Sequence, residues 1–297
     1  MSDRKRRKNA GRRKAVLGAI VVLAVVGIAA ALYMRMAEDE QIGIQETSPA
    51  DQPTETGPTA PRYPLPEADA PPATSEEDPA LTPGQPLLPA DEEQAAPPAL
   101  NASDEPVGDV LADLADPEPL QRLFRLDEVV RRFVVTIENL PAKKLPRRDL
   151  LVARRVPGQF LIAGEGEETY ISPDNAERYR PYVGLVTRIE PERVAAAYTR
   201  FYPLFQEAYA ELGYPNAYFN DRLVDVIDHL LATPVVDEPI RLVRPHVFYL
   251  YADPELEALS AGQKALIRMG NANAEQVRQW LRRLRAELTR AARPAAD

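Results

Sequence analysis

Cysteine is absent from the 297-residue chain. Its absence excludes disulfides, thiolate metal sites, cysteine nucleophiles and lipid attachment at a cysteine. Histidine is scarce too, with only His229 and His246, and residues 107–297 contain just two serines, Ser172 and Ser260. No G-x-S-x-G motif occurs, so the serine-hydrolase pattern is missing as well. The residue types that most often act as catalytic nucleophiles are therefore rare in this chain.

Charge of one sign is concentrated in separate stretches of the chain. Residues 1–37 carry a net charge of +8, residues 38–106 a net charge of −15, and residues 107–297 a net charge of −2. The isoelectric point of about 5.0 therefore reflects the middle stretch rather than the C-terminal part. A nucleic-acid-binding domain would be clearly basic, so we predict no nucleic-acid partner.

One long apolar run is present, over residues 15–34. A helix of this length spans about 30 Å, the thickness of the hydrocarbon core of a bilayer. Eight Lys and Arg side chains precede the run, and Glu38, Asp39 and Glu40 follow it closely. By the positive-inside rule, residues 1–14 are then a basic cytoplasmic segment and the rest of the chain lies outside the cytoplasm. We predict an uncleaved single-pass signal anchor in a bacterial inner membrane; the alternative is a signal peptide cleaved near residues 29–31.

Residues 35–106 are predicted to be a disordered tether. Residues 38–106 contain fifteen Pro and sixteen Asp or Glu but few large apolar side chains. Such a segment cannot bury enough apolar surface to offset the entropy lost on ordering. Proline and like-charge repulsion favour an extended chain. We interpret the segment as a spacer, with a binding tail as the alternative, and we expect order to begin near Val107.

Residues 107–297 are predicted to form a mainly helical domain with a small β-hairpin. Apolar spacing and capping residues predict helices over residues 119–140, 182–189, 191–212 and 218–232, short helices after Asp253 and Ser260, and a last helix that Asn273 caps and that ends near Ala292. Two short strands, residues 159–163 and 168–172, flank a glycine-containing turn, and residues 240–251 are predicted to be extended. Ser172 is expected to cap a helical turn, and Ser260 with Gln263 forms the pattern of a capping box.

Three stretches of this domain resemble a bacterial family. They read RRFVVTIENLP, YPLFQEAYAELGYPNAYFNDRLVDVIDHLLATP and PIRLVRPHVFYLYADPELEALSAGQKALIRMG. Together they are similar to the family known as domain of unknown function 3014, over about residues 107–290. Members share an N-terminal membrane anchor, a variable proline-rich segment and this domain. The resemblance implies an envelope location, but no activity and no catalytic residue.

The most enzyme-like cluster is Asp221, Asp225, Asp228 and His229. Carboxylates at this spacing share a helix face and could bind a hard or borderline metal together with the histidine. The apolar stripe of the same helix, however, should turn the three Asp outward. We therefore predict a solvated acidic face with local partners such as Arg222, with Asp221 as a possible helix cap. This assigns no metal, cofactor or catalytic residue.

Two basic features could bind anionic lipid headgroups. One is a loop with Lys143, Lys144, Arg147, Arg148, Arg154 and Arg155. The other is the last helix, where the residues expected outside the apolar stripe are Arg278, Arg282, Arg283, Arg285 and Arg290. The simpler interpretation of both is an ordinary solvated surface. The aromatic residues of the longest predicted helix, Tyr198, Phe201, Phe205 and Tyr209, are expected in the core.

The sequence thus predicts a membrane-anchored envelope protein of unknown biochemical function. Its C-terminal domain is expected to be a non-catalytic binding or structural module outside the cytoplasm. The partner would be a protein, a wall polymer or an anionic lipid surface. The alternative is a carboxylate-dependent envelope enzyme that works with or without a metal.

Overall fold

A computed structural model describes residues 60–65, 98–245 and 249–290 of the chain. The predicted anchor over residues 15–34, most of the tether and His246 lie outside these ranges. In the ranges that are described, no helix has both the length and the apolar character needed to cross a membrane.

The C-terminal domain is mainly helical and includes the predicted β-hairpin. The helices are α1 (Asp104–Leu114), α2 (Pro117–Leu123), α3 (Val129–Asn139), α4 (Arg180–Thr187), α5 (Pro191–Glu211), α6 (Phe219–Leu231), α7 (Pro254–Ala258), α8 (Ala261–Arg268) and α9 (Asn271–Leu288). The strands are β1 (Ile162–Ala163), β2 (Tyr170–Ile171), β3 (Leu242–Val243) and β4 (Leu250–Tyr251). Strand β1 pairs antiparallel with β2, as predicted, and β3 pairs antiparallel with β4.

The core lies where α3, α5, α6 and α9 meet. Helix α9 packs against α4, α5 and α6, and α3 packs against α5 and α6. The ring of Phe133 lies 5.3 Å from that of Phe205 and 5.9 Å from that of Phe219, measured between centroids. Burial of each phenylalanine contributes about 1.5–3 kcal/mol. The predicted core aromatics of α5 are confirmed: Tyr198, Phe201, Phe205 and Tyr209 are all buried.

The prediction of one helix over residues 119–140 is wrong. The chain forms α2 and α3, with a break in which Glu128 adopts a left-handed conformation with φ 48°. At the break, Phe124 forms an antiparallel bridge with Ala153. The Arg125 N–H donates to the Val152 carbonyl at 2.7 Å. This pairing with a distant segment occupies the backbone groups that a continuous helix would have used internally.

Two of the predicted capping patterns, at Ser172 and at Ser260 with Gln263, are confirmed. Ser172 Oγ accepts a hydrogen bond from the Asp174 N–H, and Ser260 and Gln263 form a complete capping box at the start of α8. Asn273, in contrast, does not cap the last helix. Helix α9 begins at Asn271, and Asn273 Nδ2 donates to the carbonyls of Ala176 and Met269 at 2.9 Å each.

Ordered structure begins before Val107. A 3-10 helix covers Leu100–Ala102 and α1 starts at Asp104, both within the stretch assigned to the tether. Asp104 accepts hydrogen bonds from the backbone N–H groups of Glu128 and Val129, and Val107 and Val110 are buried. This stretch is ordered because it contributes apolar side chains to the core. Residues 62–65 are held instead by contacts with α6 and with the surface of the core.

Candidate peptide-binding groove

Residues 62–65, called the docked segment below, lie against the first turns of α6. The carboxylate of Asp221 accepts two backbone hydrogen bonds from this segment. The Arg62 N–H donates to Asp221 Oδ2 and the Tyr63 N–H to Oδ1, each at 2.9 Å. Asp221 is only 6% exposed. A buried carboxylate needs such donors, because leaving it unpaired carries a large desolvation cost.

Asn220 completes a clamp on the backbone of Tyr63. Its Nδ2 donates to the Tyr63 carbonyl at 2.8 Å, and Asn220 is 1% exposed. Tyr63 therefore has both of its backbone polar groups bound by adjacent residues of one helix. Asn220 Oδ1 is also buried and has no hydrogen-bond partner within the described ranges. The clamp recognises the main chain, so it does not depend on the side chains of the docked segment.

Three side chains of the docked segment add further contacts. Arg62 Nη2 forms an ion pair with Asp225 Oδ2 at 2.6 Å, which holds the pKa of the guanidinium above its usual range. The Arg62 and Asp225 side chains are 55% and 44% exposed, so solvent screens this pair. Tyr63 and Leu65 are partly buried and pack against the main core. We call the surface formed by Asn220, Asp221, Asp225 and the core residues beneath them the α6 groove.

The prediction that all three Asp of α6 face solvent is wrong for Asp221. The apolar stripe places it off the centre of the buried face, but residues 62 and 63 cover it from outside. Asp221 is not the helix cap either, because the N-cap position is Tyr218, with no side-chain cap bond. Arg222, the expected local partner, instead pairs with Glu138, with Nε 2.8 Å from Oε2.

Two further candidate ligands on α6, Asp228 and His229, contact other helices of the domain. Asp228 accepts from both Nε and Nη2 of Arg285 on α9, the Nη2 contact being 2.8 Å. His229 Nε2 lies 2.8 Å from Ser260 Oγ at the start of α8. Burial, with a smaller effect of nearby Arg222, holds the pKa of His229 below its usual value of 6.5. Among the residues that the structure describes, no three His, Asp or Glu side chains converge on a possible metal position.

The arginines of α9 do not form a free basic face. Arg278, expected outside the apolar stripe, is 4% exposed and donates to the carbonyls of Thr233 and Pro234. Arg282 pairs with Glu275, Arg283 with Glu192 and Arg285 with Asp228, and Arg290, just beyond the end of the helix, pairs with Glu287. The hydrogen bond with Asp228 holds the pKa of Arg285 above its usual value, and Tyr63 has a smaller effect in the same direction.

The predicted basic loop is partly used within the domain as well. Arg147 pairs with Asp149 at 2.8 Å, and Arg154 Nε donates to the Phe124 carbonyl at 2.9 Å. Nothing in these two contacts distinguishes the loop from an ordinary charged surface.

The sequence contained a signal for the docked segment that helical periodicity does not detect. Between residues 38 and 106, Arg62 is the only Lys or Arg and Tyr63 is the only aromatic residue. A basic residue beside an aromatic one, isolated within an acidic and proline-rich segment, is the compositional feature that could have marked this site. Composition alone had indicated a spacer because the motif is only a few residues long.

Comparisons with known proteins give one match. A family model whose description is "Protein of unknown function (DUF3014)" matches residues 129–285. This range includes α3, α6 and most of α9, and therefore both clamp residues, but not the docked segment. Searches of curated proteins and of solved structures find no match.

Proposed function

Since the chain belongs to the DUF3014 family of proteins of unknown function, we propose a function from the α6 groove itself. The C-terminal domain is a non-catalytic peptide-binding module. An N-terminal membrane anchor and a proline-rich tether display it outside the cytoplasm.

The observation that supports peptide binding is the use of Asp221. Both of its carboxylate oxygens accept backbone N–H groups of residues 62 and 63, which lie about 160 positions earlier in the sequence. Hydrogen bonds to a charged acceptor contribute about 1.5–3 kcal/mol each. Main-chain bonds of this kind supply affinity in peptide recognition, and neighbouring side-chain contacts supply specificity. Asn220 adds a further main-chain hydrogen bond, and Asp225 adds a side-chain contact.

The membrane part of the proposal rests on the sequence. Residues 15–34 have the length and apolar character of a spanning helix, and the basic residues before them favour a cytoplasmic N-terminus. Residues 35–61 would connect the span to the docked segment, with an extended reach of at most about 97 Å. The domain would therefore stay near the outer face of the membrane while the segment is docked.

Binding is tested with a fluorescent peptide of residues 58–68. The recipient is the full chain in which Arg62→Ala and Tyr63→Ala weaken its own docked segment. We expect saturable binding, and we expect Asp221→Asn in the same chain to weaken it by about tenfold or more, equivalent to about 1.4 kcal/mol. Asp237→Asn is the matched control, because Asp237 is exposed and lies outside the groove. Absence of saturable binding to a folded recipient chain would refute the proposal.

The display is tested with two reporters fused after Asp297. One is an enzyme that is active only after export, and the other is active only in the cytoplasm. Activity of the first alone, in the membrane fraction, is the expected result. Activity of the cytoplasmic reporter would reverse the proposed orientation, and release of the fusion from the membrane would indicate cleavage of the N-terminal segment.

A further inference from the structure

We propose that the α6 groove binds a segment of another protein with the pattern arginine, aromatic residue, any residue, aliphatic residue, and that residues 62–65 are a resident competitor for it. The inference rests on the proposed function and adds the ligand class and its control. A partner can then occupy the groove only if its binding outcompetes that of the tethered residues 62–65.

The docked segment can leave without opening the fold. The main core is formed by residues between Leu100 and Leu288, and Tyr63 and Leu65 are only partly buried against it. Arg62, the residue with the most charge contacts, keeps more than half of its side chain exposed. Residues 66–97 connect the segment to the domain. Departure of the segment therefore breaks the clamp and a few surface contacts, and leaves the four-helix core in place.

The contacts of the docked segment define the ligand. The clamp of Asn220 and Asp221 holds the backbone at the first two positions. Asp225 selects a cation at the first position. The core surface that Tyr63 and Leu65 cover selects an aromatic group at the second position and an aliphatic group at the fourth. Pro64 at the third position is exposed, so this position is not selected.

Attachment through the tether favours the resident segment by effective concentration. A linked segment binds intramolecularly, at an effective concentration that the length and stiffness of its linker set and that is on the order of millimolar for short linkers. A partner bound to the same groove has its apparent affinity reduced by the fraction of time that the groove is already filled. A partner segment occupies the groove only when its affinity and concentration together exceed this advantage of the resident segment.

The gating is tested by titrating the labelled peptide of residues 58–68 into two full-length chains. One is the native chain and the other carries Arg62→Ala and Tyr63→Ala. We expect the peptide to bind the variant about tenfold more tightly, because the competitor has been weakened. The control carries Gln52→Ala and Thr54→Ala, a double change elsewhere in the tether, and it should bind like the native chain.

The ligand pattern is tested with altered peptides on the variant chain. Replacing the arginine by glutamate, the tyrosine by serine or the leucine by serine should each weaken binding by about tenfold. Replacing the proline at the third position by alanine should change binding less than about threefold. Equal affinity for all of these peptides would overturn the pattern.

The possible failures are distinguishable. If the peptide binds the native and variant chains equally, the resident segment is no competitor, and this inference fails while peptide binding stands. If the peptide binds neither chain, the proposed function itself fails. If the native chain forms a concentration-dependent dimer that Asp221→Asn abolishes, the occupant is the segment of a second copy, and the proposal of a different protein as partner is overturned.

Discussion

Asp221 and Asp228 lie two turns apart on the same helix and have different roles. Asp221 accepts backbone N–H groups of residues 62 and 63 from the tether, whereas Asp228 accepts the guanidinium of Arg285 from α9. The second contact joins two helices of one core, and the first joins the domain to a segment that the core does not need. The first half of α6 therefore holds the docked segment, and its second half joins the helices of the core.

The difference shows that residue type and helix position do not determine the role of a charged side chain. Asp221, Asp225 and Asp228 all sit beside the same apolar stripe. What covers each one from outside decides its role: the docked segment covers Asp221 and pairs with the half-exposed Asp225, whereas α9 provides the partner of Asp228.

The largest effect is expected from removing a buried side chain of α6 that packs in the core. Phe219 is 0% exposed, and its ring stacks on that of Phe205 at 6.0 Å. Phe219→Ala should lower the free energy of unfolding by about 3–5 kcal/mol. Urea denaturation measures the loss, and Leu212→Ala, at a position 39% exposed, should change stability by less than about 0.5 kcal/mol. A loss below about 1 kcal/mol for Phe219→Ala would contradict the core described above.

The second prediction separates the two aspartates. Arg62 is the only Lys or Arg between residues 38 and 106, so trypsin cleavage of the Arg62–Tyr63 bond reports release of the docked segment. Asp221→Asn weakens docking by about 1.5–3 kcal/mol and should accelerate this cleavage by about tenfold or more.

Asp228→Asn is the matched comparison on the same helix. It should leave the cleavage rate within about threefold of the native rate, because Asp228 accepts hydrogen bonds from Arg285 of α9 and not from the docked segment within the described ranges. Equal acceleration by both changes would mean that the two halves of α6 act as one unit.

These predictions depend on contacts between residues that are distant in sequence. Local periodicity and capping patterns do not predict such contacts. Helix α5, the aromatic core and the capping box of Ser260 follow from local periodicity and capping, and they were predicted. The break after α2 and the covering of Asp221 come from pairing with residues far along the chain. Asn273 was misassigned because Gly270 ends one helix and begins the next, so a cap side chain was not required there.

The third prediction concerns the exposed ion pair of Arg62 and Asp225. Exposed pairs contribute about 0.2–1 kcal/mol and weaken as salt rises. Asp225→Asn should therefore accelerate cleavage at Arg62 by only about two- to fivefold at low salt, and the difference should vanish in about 0.5 M sodium chloride. The free peptide of residues 58–68 controls for the effect of salt on trypsin. A salt-independent effect of this change would contradict the role given to the pair.

The smallest expected effect lies in the second half of α6. The pKa of His229 is lowered in the folded domain, so below pH 6.5 the unfolded chain binds the proton more readily than the folded chain. Stability should therefore fall as pH decreases through this range. His229→Gln should flatten the fall in the unfolding midpoint between about pH 7 and about pH 5, while trypsin cleavage at Arg62 stays unchanged. An identical pH profile in the variant would show that His229 does not contribute.

The central claim is that residues 62 and 63 are bound by Asp221 without being part of the domain core. Hydrogen exchange of the Arg62 and Tyr63 amides in the full chain tests it most directly. Both amides should be protected relative to the free peptide of residues 58–68. Asp221→Asn should remove this protection while the amides of α5 and α6 keep theirs. Exchange as fast as in the free peptide, or loss of protection throughout the domain in the variant, would contradict the claim.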